Sequence, residues 1–260
     1  MTKYILKIQN IQRYIEKALS FLMFSVYNIS AKNTNKRNKM KNNIKAVIFD
    51  LDGTLLNSLE DLADSVNAAM TKFSYPTHSI DAVCRFVGNG VAKLIERALP
   101  NGKENKDYEA CLSYFKEHYA LHMYDKTGPY ENIPEMLDSL KSKGYKLAVV
   151  SNKFDAAVKE LCKRYFDGYI EVAIGENEAE GIKKKPAPDT VIKALGMLGC
   201  TKDEAVYVGD SEVDVHTAKN SGMKCISVLW GFREKEFLES EGACIFANTA
   251  AELAEAIENL

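Results

Sequence analysis

Val47-Ile48-Phe49-Asp50-Leu51-Asp52-Gly53-Thr54-Leu55 decides how the chain is read. Three apolar residues lead into two aspartates one residue apart, and a glycine follows. A β-branched and aromatic run suits a strand covered on both faces, as in a parallel sheet. The chain must turn where the strand ends, and Gly53 permits it. Open α/β sheets bind ligands at that carboxyl end. Two carboxylates held together there repel one another, so a metal ion or a proton belongs between them. An ordinary Asx turn closing a strand has the same local pattern; the rest of the chain has to separate the two.

Downstream, Leu59 to Phe73 places Leu62, Val66, Ala69, Met70 and Phe73 at helical spacing. Ser79 is positioned to cap a short helix from Ile80. Phe86-Val87-Gly88-Asn89-Gly90 reads as a turn, before helices at Val91–Leu99 and Tyr108–Tyr124. No strand is expected from Leu59 to about Tyr124, so an all-helical block is inserted after the first strand. An α/β rhythm then returns. Helices are expected at Ile133–Lys143, Asp155–Tyr165, Asp189–Leu198, Val213–Asn220 and Ala250–Leu260. They alternate with strands at Lys146–Val150, Tyr169–Ile174, Ala205–Val208 and Lys224–Leu229. Such alternation implies a parallel sheet.

Three of these strands end in polar residues that should gather on one edge. Asp50 and Asp52 follow the first, Ser151 the second, and Asp210 and Asp214 the fourth; Lys185 lies in a loop between them. Several hard oxygen donors suit Mg2+, which keeps waters and partners phosphate. A hydroxyl, turn amides and a lysine suit the phosphate itself. A carboxylate nucleophile can attack phosphorus to give an aspartyl-phosphate. Phosphoryl transfer asks mainly for positioning and charge neutralisation.

Four stretches carry a resemblance. Asp50-Leu51-Asp52-Gly53-Thr54-Leu55, Ser151-Asn152-Lys153, Lys185-Pro186-Ala187-Pro188-Asp189 and Gly209-Asp210-Ser211-Glu212-Val213-Asp214 resemble, in order and spacing, the four motifs of the haloacid dehalogenase-like hydrolases. The resemblance runs from about Ile44 to the C-terminus. It implies a Rossmann-like α/β core (44–58 and 128–260) with an inserted all-helical C1-type cap (59–127). By the same resemblance Asp50 is the nucleophile and a Mg2+ ligand. Asp52 is the general acid/base, with its carbonyl on the metal. Ser151 and the Asn152 amide hold phosphoryl oxygens, with Gly53 and Thr54 beside them. Lys185 neutralises charge, Asp210 ligates the metal and Asp214 supports it. An acid at Asp52 suits an alcohol leaving group, hence phosphate ester hydrolysis.

The insert resembles the phosphoglycolate phosphatase cap at Arg85-Phe86-Val87-Gly88-Asn89-Gly90 and Leu94-Ile95-Glu96-Arg97-Ala98-Leu99, with Asp61-Leu62 and Val66-Asn67 before it. Gly88, Asn89 and Gly90 are therefore candidate substrate contacts, although a plain interhelical turn reads the same way. The resemblance implies a small phosphorylated metabolite as partner, with 2-phosphoglycolate leading. Pyrophosphatases and β-phosphoglucomutases share the fold and remain the alternatives, with a non-catalytic or membrane-associated module behind them.

Other features exclude more than they assign. A net charge of -2 gives no electrostatic argument for nucleic acid or an anionic membrane. The six cysteines form no Cys-x-x-Cys pair and suggest a reduced, cytoplasmic chain. Residues 1–43 read as an extension: an apolar stretch too short to span a bilayer, then a polar Lys/Asn linker. A start at Met40, a peripheral helix and a targeting segment are all compatible with it. Asp155 and Asp189 read as helix caps, and the His118/His122 pair as a structural or surface feature.

Overall fold

This computed structural model describes residues 43–177 and 181–260. The expectations for the N-terminal extension fall on residues 1–42 and lie outside them. Residues 43–260 group as one compact unit.

The quoted stretch forms β1 (Ala46–Phe49), at the centre of a six-stranded parallel sheet. Its neighbours are β4 (Lys146–Phe154) and β6 (Ala205–Gly209), each in register with it over four residues. β5 (Val172–Glu176) lies outside β4, and β7 (Lys224–Val228) and β8 (Phe246–Ala247) lie outside β6. The chain thus leaves β1 towards one edge and returns to build the other, so its strand order reverses at β1. That switch point opens a crevice at the strands' carboxyl ends.

The strands alternate faces residue by residue. Val47 and Phe49, Leu147 and Val149, and Val206 and Val208 join one apolar cluster. Ala46 and Ile48, Ala148 and Val150, and Ala205 and Tyr207 join another on the opposite face. Both faces are covered by helices: α5 (Ile133–Ser142), α6 (Asp155–Phe166) and α10 (Ala250–Glu258) with the first cluster, α7 (Asp189–Leu198) and α8 (Glu212–Ser221) with the second. An unbroken apolar β1 is the consequence. A short α9 (Lys235–Ser240) completes the core.

The inserted block holds α1 (Leu59–Lys72), α2 (Ile80–Phe86), α3 (Val91–Ala98) and α4 (Tyr108–His122). Val66, Met70, Ile95, Phe115 and Tyr119 give it a further apolar cluster, which Ala157 of α6 joins from the core. Ser79 caps α2 by accepting from the Ala82 amide at 3.3 Å. At the root of the insert, β2 (Leu56–Asn57) pairs antiparallel with β3 (Gly128–Pro129), so its entry and exit are stapled side by side.

The differences from the sequence expectation have local causes. The strand expected from Tyr169 starts at Val172, because the amides of Tyr169 and Ile170 both donate to Phe166 O at the end of α6. β4 runs on through Ser151–Lys153 instead of stopping at Val150, with a register shift before Phe154 pairs with Glu176. Asp155 is not a cap: it is the first residue of α6, and its carboxylate accepts from the Gly175 amide at 3.0 Å. Asp189 likewise opens α7 without a side-chain cap, Pro188 holding the cap position.

Candidate active site

Asp50 leaves β1 with its amide bonded to Val208 O at 2.8 Å, which fixes it to the neighbouring strand. Its carboxylate, with those of Asp210 and Asp214, forms a buried cluster whose oxygens lie within 4.8 Å of one another. Asp210 follows β6. Its Oδ1 accepts from Thr54 Oγ1 at 3.0 Å and its Oδ2 from the Phe232 amide at 2.8 Å. Asp214 sits in the first turn of α8 in a capping box with Ser211, accepting its amide (3.1 Å) and its hydroxyl (2.6 Å) on Oδ2. Its Oδ1 accepts from Lys185 Nζ at 2.7 Å and Tyr207 OH at 3.1 Å. Four donors occupy Asp214, which suits it to holding Lys185 more than to meeting a ligand.

Lys185 is itself buried, with Nζ 2.8 Å from Asp50 Oδ1. That ion pair is its polar contact among the described residues. Burial pushes the Asp50 carboxyl up to about 7, against the pull of Lys185 and with the push of Asp214. Burial, then Asp214 and Asp50, holds Asp210 well above the carboxylate range. Burial works against the Lys185 ammonium, but Asp214 and Asp50 outweigh it and raise its pKa. Three clustered carboxylates thus have one ammonium beside them, paired with Asp50 and Asp214. The uncompensated negative charge and the hard oxygens fit a divalent cation.

This electrostatic imbalance is measurable. A carboxyl raised in the folded state binds its proton more tightly than in the unfolded chain, so its stabilising contribution is full below the ordinary value of about 4 and lost as pH rises towards 7. The melting temperature of the metal-free protein should fall across that window. Added Mg2+ should raise it at pH 7.5 and do little at pH 5. A melting temperature that climbed from pH 4 to 7, or ignored Mg2+ at pH 7.5, would contradict the cluster described here.

Asp52 lies to one side and lines the same cleft. Its Oδ1 accepts from Ser58 Oγ at 2.5 Å, and Lys153 Nζ donates to its two oxygens at 2.9 and 3.0 Å. Lys153 is buried and also donates to Tyr119 OH of α4 at 2.6 Å. Burial lowers the Lys153 pKa, but Asp52 and Tyr119 raise it more. Ser151 and Asn152 line the cleft from β4. Asn152 Nδ2 donates to Lys185 O at 3.0 Å and Gly88 O at 3.3 Å, tying the second and third motifs to the insert.

The cleft has a volume of about 50 Å³ and is roofed by Val87, Gly88, Gly90, Val91 and Leu94 of the insert. Three residues expected at the substrate are elsewhere. Asn89 turns its side chain to Arg97, accepting Nη2 at 2.7 Å, and does not line the cleft. Thr54 is fully buried and engaged with Asp210. Gly53 (φ +88°) lies beneath that carboxylate, and a Cβ there would stand 2.3 Å from Asp210 Oδ2. Their contribution is to carry Asp210, not to border the cleft. His118 is bonded to Ser65 Oγ at 3.1 Å and stacks on His122, outside the cleft.

Sequence reading did not assign Lys153, Tyr119 or Arg233. A lysine inside a buried strand end needs a partner, and that was a usable signal for Lys153. Tyr119 fits the apolar period of α4, and Arg233 follows the last long strand with no spacing to mark it. Residues 47–228 match the family model of the haloacid dehalogenase-like hydrolases. A phosphoglycolate phosphatase of Aquifex aeolicus is 36% identical over 194 residues, 73% of this chain and 86% of that protein. One from Mannheimia succiniciproducens is 34% identical over 201 residues, 74% and 89% of the two chains. Among solved structures, a Lactobacillus delbrueckii protein ascribed to the phosphoglycolate phosphatases superposes with a TM-score of 0.79 at 37% identity, over 82% of this chain and 98% of that one.

Proposed function

The chain belongs to the haloacid dehalogenase-like hydrolases, and from its site we propose a Mg2+-dependent phosphatase acting on a small phosphate monoester, with 2-phosphoglycolate the leading substrate. The observation that carries this reading is Asp50: a buried carboxylate, clustered with Asp210 and Asp214 and paired with the Lys185 ammonium at 2.8 Å, on the floor of the cleft. The phosphoglycolate phosphatases among its relatives, at 34–36% identity, support the substrate.

In this reading the Asp50 carboxylate attacks phosphorus, forming a P–O bond as the bond to the substrate alkoxide breaks. Asp52 gives that alkoxide its proton, then takes one from the water that hydrolyses the aspartyl-phosphate. Ser151 Oγ and the Asn152 amide hold the phosphoryl oxygens. Lys185, steadied by Asp214 and Tyr207, neutralises charge between nucleophile and phosphate. Asp50, Asp210 and the Asp52 carbonyl would hold Mg2+, with Asp214 in support, and the ion would supply further charge neutralisation.

Residues 59–127 act as the cap over a core of 44–58 and 128–260, the β2–β3 staple joining the two. The free cysteines among the described residues support a cytoplasmic setting. Phosphate release from 2-phosphoglycolate, compared with sugar phosphates, nucleotides and pyrophosphate, tests the reading.

A further inference from the structure

In the segment after β7, Trp230, Phe232 and Arg233 hydrogen-bond to groups at or beside the site, and Gly231 packs between them against it. Trp230 Nε1 donates to Thr54 O at 3.0 Å. A Cβ on Gly231 would fall 2.3 Å from Asp210 Cβ and 2.5 Å from Gly53 O, so this backbone lies directly on the carboxylate cluster's support. The Phe232 amide donates to Asp210 Oδ2. Arg233 then reaches away from the core. Its Nη1 donates to Cys84 O at 3.0 Å and its Nη2 to Val87 O at 2.8 Å, both at the carboxyl end of α2.

The last carbonyls of a helix lack intrahelical donors and carry partial negative charge. A guanidinium satisfies several of them at once, which an ammonium on a flexible stem does less well. α2 has two such donors. Arg97 takes Phe86 O at 2.6 Å, but it belongs to α3 and would move with the insert. Arg233 belongs to the core, and its bonds cross from core to insert. Its Nε is fixed by Glu212, 3.0 Å away at the start of α8, two residues after Asp210.

We infer that Arg233 is a positioning residue, the latch that seats the 87–90 loop over the cleft and couples that seat to Asp210 through the Trp230–Arg233 segment. The kinetic part of this inference rests on the phosphatase reading; the structural part does not. Among the described residues, loss of Arg233 leaves two longer core-to-insert bonds at this place, Asn152 Nδ2 to Gly88 O at 3.3 Å and Cys84 Sγ to Phe232 O at 3.6 Å.

The test uses the full chain with Arg233→Met, Arg233→Lys and Glu212→Gln; Glu212 does not line the cleft. Amide hydrogen exchange is followed by mass spectrometry in peptides covering 80–92 and, as a reference, 46–50. Arg233→Met should speed exchange in 80–92 by about tenfold or more, the loss expected for a charge-assisted bond. The 46–50 peptide should be unchanged. KM for 2-phosphoglycolate should rise by more than kcat falls. Arg233→Lys should follow Arg233→Met closely, and Glu212→Gln should move the same way by less. Unchanged exchange in 80–92 in all three variants would overturn the latch; a raised KM in that case would make Arg233 a direct substrate contact. Absence of phosphate release by the wild-type protein would sink the phosphatase reading alone, since exchange still reports on the latch.

Discussion

Asp50→Asn is expected to lower phosphate release by at least about 10⁴-fold while leaving the protein folded. The amide has the shape of the carboxylate but cannot attack phosphorus. It also removes one of three clustered carboxylates, and one of the two that pair with the Lys185 ammonium. Replacing a buried charge that lacks full compensation by a neutral group of the same shape costs little and relieves repulsion. The metal-free variant should therefore melt at or above the wild-type temperature at pH 7.5. Its stability should depend less on pH between 4 and 7, because the carboxyl raised to about 7 is gone. Added Mg2+ should stabilise it less than it stabilises the wild type. Steady-state phosphate assays and melting curves measure all of this. Activity within tenfold of wild type would remove Asp50 from the mechanism.

Lys185→Met should damage both stability and turnover. The ammonium is buried and touches Asp50, Asp214 and Tyr207 together. Removing it leaves three buried carboxylates with no cation among them. Breaking a buried pair by deleting one partner costs about 3–5 kcal/mol. Loss of a preorganised charge at the phosphoryl group should lower kcat by about 10²–10³-fold or more. The instability should be worst near pH 7.5 and ease towards pH 5, where the carboxylates take up protons and need no counter-charge. Chemical denaturation at the two pH values, with kinetics at the higher one, gives both numbers. Wild-type stability at pH 7.5 would show that Lys185 is not the counter-ion of the cluster. Arg is no substitute, since its planar fork cannot occupy the place of one Nζ among three partners.

These two residues also show what the chain's linear order discloses. Asp50 was legible because a strand buried on both faces must be continuously apolar, and a carboxylate at its end breaks that run. Lys185 was legible only by resemblance, standing before Pro186 in a run of three lysines; burial against Asp214 and Asp50 is what sets it apart from Lys183 and Lys184. Asp214 reads as an ordinary first-turn acid until its four donors are seen. What the sequence hid is whatever depends on distant segments meeting. Lys153 meets Tyr119 across 34 positions, and Arg233 meets Val87 across 146. Neither has a local period. Asn89, between two glycines, has its side chain bonded by Arg97, eight residues on, a contact that its position in the turn does not announce. Short elements such as β2, β3 and β8 were missed for a related reason, since two residues carry no alternation to detect.

Whether the protein is a phosphatase for a small phosphate ester is decided by one comparison of substrates. Inorganic phosphate release by the purified full chain with Mg2+ is measured across 2-phosphoglycolate, sugar phosphates, nucleotides and pyrophosphate. Preferential release from 2-phosphoglycolate, abolished by Asp50→Asn, is the predicted result. Isomerisation of a sugar phosphate without phosphate release would contradict it.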